Sequence, residues 1–184
     1  MTALAESTQE LRTNQTRLQT AFKSAGGEAK TATKTYKDLY RVLGDDGRAT
    51  EAATHLAKLT TNEQELAEWT KICQGVYAEF GDSLAIEGLA EAVNHTAKLG
   101  EVQGTLADAL EWSGISIDDF NAQLGECTTE AERNKLMQET LSGIYAESAA
   151  NYEESAKDLL EANEAQSRLN DTLAETGSYV QPVA

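Results

Sequence analysis

The chain has 184 residues, a net charge of −16 from 31 acidic and 15 basic side chains, one proline and thirteen glycines, enough length for one sizeable core or two modest ones. Acidity on this scale opposes binding to nucleic acid and to anionic membranes, and no apolar run approaches the ~20 residues that cross a bilayer. Ala, Glu and Leu are abundant and aromatic residues sparse, so the composition predicts an all-α fold of long helices punctuated by glycine.

Residues 1–44 carry seven basic and four acidic side chains. The opening MTALAESTQEL does not have the basic-then-apolar profile of a secretion signal. Leu4, Leu11, Leu18, Ala25, Ala32 and Leu39 recur every seven residues, and Phe22, Ala29, Tyr36 and Leu43 follow four places after members of that set. The spacing predicts a coiled-coil arm with a polar N-terminal half, where Thr8 and Gln15 sit on the seam. Gly26 and Gly27 interrupt it and predict a bend or fraying. Gly44 closes the helix, and Asp45 or Asp46 caps the next one.

Residues 45–128 carry sixteen acidic and four basic side chains and read as five short helices near 47–59, 63–80, 84–98, 104–112 and 117–125. Thr61 with Gln64, and Ser116 with Asp119, have the spacing of capping boxes. Residues 51–80 and 91–120 read as a tandem repeat. EAATHLAKL at Glu51 returns forty positions later as EAVNHTAKL at Glu91; Trp69 corresponds to Trp112 after a three-residue insertion, and Phe80 to Phe120. Such a period predicts helix pairs stacked on helix pairs, a small globular domain.

From Thr129 to 177 a second seam repeats every seven residues through Tyr145, Tyr152, Leu159, Gln166 and Leu173, with Ala149, Ala156, Asn163 and Asn170 four places on. The pattern predicts a second arm, kinked near Ser142 and Gly143, with Asn163 and Asn170 as polar layers. Because the arms differ in charge and the middle segment reverses the chain, they are expected to pair as an antiparallel coiled-coil stalk carrying the globular domain at its turn. Residues 178–184 read as a tail leading to a missing remainder.

The chemistry-bearing residues form no recognisable catalytic pattern. With 31 carboxylates, neighbours such as Asp118 and Asp119 or Glu153 and Glu154 arise by chance. Cys73 and Cys127 form no CxxC and have no His at ligand spacing, so they read as reduced thiols. His55 and His95 read as equivalent helix-face residues left by duplication rather than as metal ligands. Trp69 and Trp112 read as core; the other reading is a groove for a partner peptide. No catalytic, cofactor or metal residue is assigned.

The strings YRVLGDDGRATEAATHLAKLT, EGLAEAVNHTAKLGEV and DALEWSGISIDDFN make the chain, over about Lys34 to Val183, resemble tape-measure proteins of long-tailed phages and prophages of Gram-positive bacteria. The resemblance implies a non-enzymatic virion component that occupies the tail lumen after assembly in the host cytoplasm. It also implies a contribution to tail length and contacts with the tail tube protein, tail assembly chaperones and baseplate or distal tail proteins. The chain is far shorter than a whole family member and reads as a fragment of one. Self-association through the arms, a binding module that docks an assembly chaperone or baseplate protein, and a secreted helical effector are the other expectations.

Overall fold

The computed structural model describes residues 2–179, with side chains over 6–176; the expected terminal tail from residue 180 and the Leu4 side chain lie outside the described residues. The fold is all-α. In chain order the helices are α1 (Thr2–Ser24), α2 (Ala29–Leu43), α3 (Asp46–Leu59), α4 (Glu63–Phe80), α5 (Ile86–Leu99), α6 (Leu106–Glu111), α7 (Ile117–Glu126), α8 (Glu130–Ser155) and α9 (Lys157–Tyr179), with one 3₁₀ turn at Gly81–Ser83.

Local chemistry sets most boundaries. The Asp45 carboxylate accepts from the Arg48 amide at 2.8 Å and opens α3. Ser116 accepts from the Asp119 amide and opens α7. Thr129 and Glu132 form a reciprocal capping box at the start of α8, satisfying amides that have no partner within the helix. At α4 the cap is Asn62, whose side-chain oxygen accepts from the amides of Gln64 and Glu65 at 3.0 Å each, not the Thr61 of the expected box.

The first arm is two helices. After Ser24 the chain turns through Gly26, whose φ of +85° is a conformation that residues with a Cβ rarely adopt. α1 then doubles back on α2. The hairpin is clamped at its open end by Asp46, which accepts from Tyr36 Oη and Asn14 Nδ2, each at 2.6 Å. Leu18 and Phe22 from α1 join Tyr36, Leu39 and Leu43 from α2 in the same core as α3 and α4.

In the middle segment α3 and α5 have fourteen residues each at an offset of forty. They lie side by side and parallel, with Arg48 bridging to Glu87 at 3.1 Å. The correspondence weakens beyond them, because α4 is one helix of eighteen residues while the matching stretch is split into α6 and α7.

The expected stalk is not borne out. α8 lies along α4, parallel to it and in the most extensive helix pairing among the described residues, with Gln138 donating to the Glu65 carbonyl at 2.7 Å and Gln74 to the Ala149 carbonyl at 3.1 Å. Gly75 makes this approach possible: a Cβ there would sit 2.3 Å from the Tyr145 carbonyl oxygen. Of the two helices of the second arm, α9 is the one that packs along the first segment, antiparallel to α2 and against α1, through Lys37 with Asp171 at 3.0 Å and Asn170 with Tyr40 at 3.2 Å. The arms are therefore layers of one bundle: the apolar faces of α1, α2 and α8 find their larger surfaces on α3 and α4, and α9 packs on α1 and α2.

The expected kink at Ser142 and Gly143 is also displaced. α8 runs helical through both residues, and the break comes at Ala156, with φ −105° and ψ 18°. Gly143 faces open space, so its missing side chain costs the helix some stability without bending it. α9 continues past the expected end at Thr176 to Tyr179.

Candidate interaction surface

The seam residues divide between core and surface. Leu18, Phe22, Tyr36, Leu39, Leu43 and Tyr145 are buried, and Leu11, Tyr152 and Leu173 are half-buried. Leu159 is not on the inner seam: it is 52 % exposed, while its neighbour Leu160 is fully buried. Leu160, Ser167 and Ala174 face the bundle in place of Leu159, Gln166 and Leu173, because a helix of about 3.6 residues per turn drifts off a strict seven-residue repeat by about 20° per heptad.

The two tryptophans have opposite environments. Trp69, in α4, is fully buried, and its indole N–H donates to Asn134 Oδ1 of α8 at 2.9 Å. Asn134 in turn donates to Glu65 Oε2 at 3.2 Å, and the same carboxylate accepts from Thr60. A buried indole N–H needs such an acceptor, so Trp69 is core and forms no groove. Trp112, at the end of α6, is 50 % exposed and lies on Phe80 with ring centroids 4.9 Å apart.

Phe80 is backed by Tyr145 at 6.1 Å. The Tyr145 hydroxyl donates to the Ala109 carbonyl at 2.5 Å and shares a hydrogen bond with Ser113 at 2.8 Å. Burial pushes that phenol up. Ser113 and Ala109 thereby tie the α6 end, and with it Trp112, to α8. The result is an aromatic platform on a rigid support, a surface of the type that anchors protein partners.

A groove of about 440 Å³ runs between α4 and α8, lined by Glu68, Lys71, Ile72, Ser142, Ala146 and Ala150. Its end is closed by a polar cluster in which Arg41 of α2 forks onto Glu153, Gln74 donates to Glu153 at 2.9 Å, and Arg41 also reaches Glu164 of α9. The Arg41 guanidinium, with help from Gln74, holds the Glu153 carboxyl down to about 2. This cluster joins α2, α4, α8 and α9, which are far apart in sequence, so no local pattern announces it.

Other singled-out residues remain apart. His55 of α3 is half-buried and His95 of α5 exposed; burial lowers the His55 imidazole against the pull of Glu91 and Glu51. Among the described residues no three His, Cys, Asp or Glu side chains converge as metal ligands would. Cys73 is buried and Cys127 partly so, both free. Among the described residues no helix is long and apolar enough to cross a membrane. Comparison with protein-family models, curated proteins and solved structures finds no match.

Proposed function

We propose that this chain is a structural segment of a phage tail tape-measure protein, a helical body that is packed and handled during tail assembly and performs no catalysis. The observation that carries the reading is the placement of the three resembling strings. YRVLGDDGRATEAATHLAKLT runs from α2 through the Asp45 cap into α3, EGLAEAVNHTAKLGEV forms α5, and DALEWSGISIDDFN spans the junction of α6 with α7. These are the positions that build the bundle: the Asp46 clamp, the paired α3 and α5, and the Ser116 cap. In this reading α3 and α5 descend from a duplicated helix, the seams of α2 and α9 are the remnant of a coiled-coil pairing, and the partners are the tail tube protein and distal tail components.

In-frame removal of residues 45–128 from the parent gene tests the assignment. If the segment contributes to the ruler as extended helix, tails should shorten by up to about 126 Å at 1.5 Å per residue, measured by electron microscopy. Tails of unchanged length, or absence of the protein from purified tails, would refute it.

The half-exposed Trp112 supports a second reading, in which the segment also docks an assembly chaperone or baseplate protein through the Trp112 and Phe80 platform. Trp112→Ala should then weaken co-purification of that component by at least tenfold, on the scale of an aromatic anchor, while leaving the circular dichroism spectrum intact. Undiminished co-purification would remove this reading.

A further inference from the structure

α9 presents two apolar faces. The inner one, through Leu160, Ser167 and Ala174, is buried against α1 and α2. The outer one carries Leu159, Ala162, Gln166, Leu169 and Leu173 at alternating spacings of three and four residues. Leu159 and Leu169 are 52 % and 51 % exposed, Ala162 is exposed, and Leu173 is half-buried. A 3-4 repeat is the spacing at which one helix interlocks with another of the same kind. Among the described residues Leu159, Ala162, Gln166 and Leu169 of that seam are left exposed.

We propose that the outer face of α9 pairs with the same face of a second copy of this chain. Charge selects the occupant. The positions flanking the seam are Asp158, Ala165 and Thr172 on one side and, on the other, Asn163 and Asn170, which are already hydrogen-bonded to Arg41 and Tyr40 of α2, so a protein of net charge −16 presents one carboxylate per copy along the contact. Two acidic chains approach here without the like-charge repulsion found elsewhere on their surfaces, and a basic partner finds almost nothing to pair with. Ala162 and Ala165 let the backbones come close. Gln166 lies at the centre of the seam and meets its own copy whether the helices run parallel or antiparallel, a polar layer that specifies register.

From Leu159 to Leu173 the seam is about 21 Å long at 1.5 Å per residue. Two such stripes bury less than the ~1,200 Å² at which stable interfaces begin, so the dimer is weak and exchanges with monomer.

Sedimentation from roughly 5 to 500 µM protein brackets a weak interface, and it should be run at physiological salt, where the Debye length is ~8 Å. The weight-average mass should rise from monomer to dimer across the series. The Leu159→Asp/Leu169→Asp variant should stay monomeric throughout with an unchanged melting transition at the lowest concentration, whereas Leu99→Asp, on an exposed apolar residue of α5, should dimerise like the parent. In a Cys127→Ser background, Gln166→Cys should give a disulfide-linked dimer on mild oxidation. A parent that remains monomeric, a dimer that persists in the double variant, a dimer lost with Leu99→Asp, or no cross-link through position 166 would each overturn the proposal. None of these outcomes depends on the phage assignment, which tail length tests separately.

Discussion

Gly75→Ala and Gly143→Ala make the same chemical change at two helix interiors and should shift stability in opposite directions. In a helix, alanine is favoured over glycine by about 0.8–1.0 kcal/mol because glycine has more backbone freedom to lose. Gly143 faces open space, so Gly143→Ala should collect that gain, about 2–4 °C in melting temperature for a chain of this size. At Gly75 the new Cβ meets the Tyr145 carbonyl oxygen at 2.3 Å and the Tyr145 Cβ at 2.8 Å. The nearest obstacle is backbone, so α4 and α8 must move apart along their whole contact, at the upper end of the ~1–3 kcal/mol typical of overpacking. Subtracting the propensity gain leaves about 2 kcal/mol of destabilisation, a fall of about 4–8 °C. Thermal melts of the three proteins under one set of conditions decide it: if Gly75→Ala melts at or above the parent temperature, α4 and α8 are not in the described contact.

Leu160→Ala should cost about 2–4 kcal/mol by emptying a buried site, and Leu159→Ala at low protein concentration less than about 0.5 kcal/mol; urea titrations with the reverse order would place the seam on Leu159 after all. Because the Glu153 carboxyl is held down to about 2 in the folded chain, its ionised form stabilises the bundle above the usual carboxylate range, and that contribution disappears as pH falls toward 2. The side chain is half exposed, so the effect is modest: the stability gap between parent and Glu153→Gln should be largest at neutral pH and close between about pH 4.5 and 2, and a gap constant with pH would contradict the Arg41 contact. Burial pushes the Cys73 thiol up to about 12, so a thiol reagent near pH 8 should label Cys127 alone in the native protein and both cysteines in urea; rapid labelling of Cys73 without denaturant would show that α4 is not buried.

The local features legible in the sequence were those whose cause is local. The extent of α4, the Ser116 cap of α7, the Gly44 terminus of α2 and the α8 start at Thr129 depend on a residue and its near neighbours, and each lies where spacing and capping place it. Trp69 was read as core and is buried. Trp112 was given the same reading by analogy and is half exposed, because it lies just past the six-residue α6 and packs on Phe80, itself only partly buried. Asn134, Gly75 and the Arg41–Glu153–Gln74 cluster were illegible, since each acquires its role from a helix that is remote in sequence.

Sequence alone determined that this chain is helical, where most of its helices begin and end, and which residues are apolar enough to be buried, because those properties follow from propensity, capping and periodicity over one or two turns. Only the tertiary structure decided which apolar face meets which helix. A heptad states that a seam exists but not its partner. The helical period of α9, about 3.6 residues, turned Leu160 inward and Leu159 outward on its contact with α1 and α2, and the surfaces of α3 and α4 drew α1, α2 and α8 into a layered bundle.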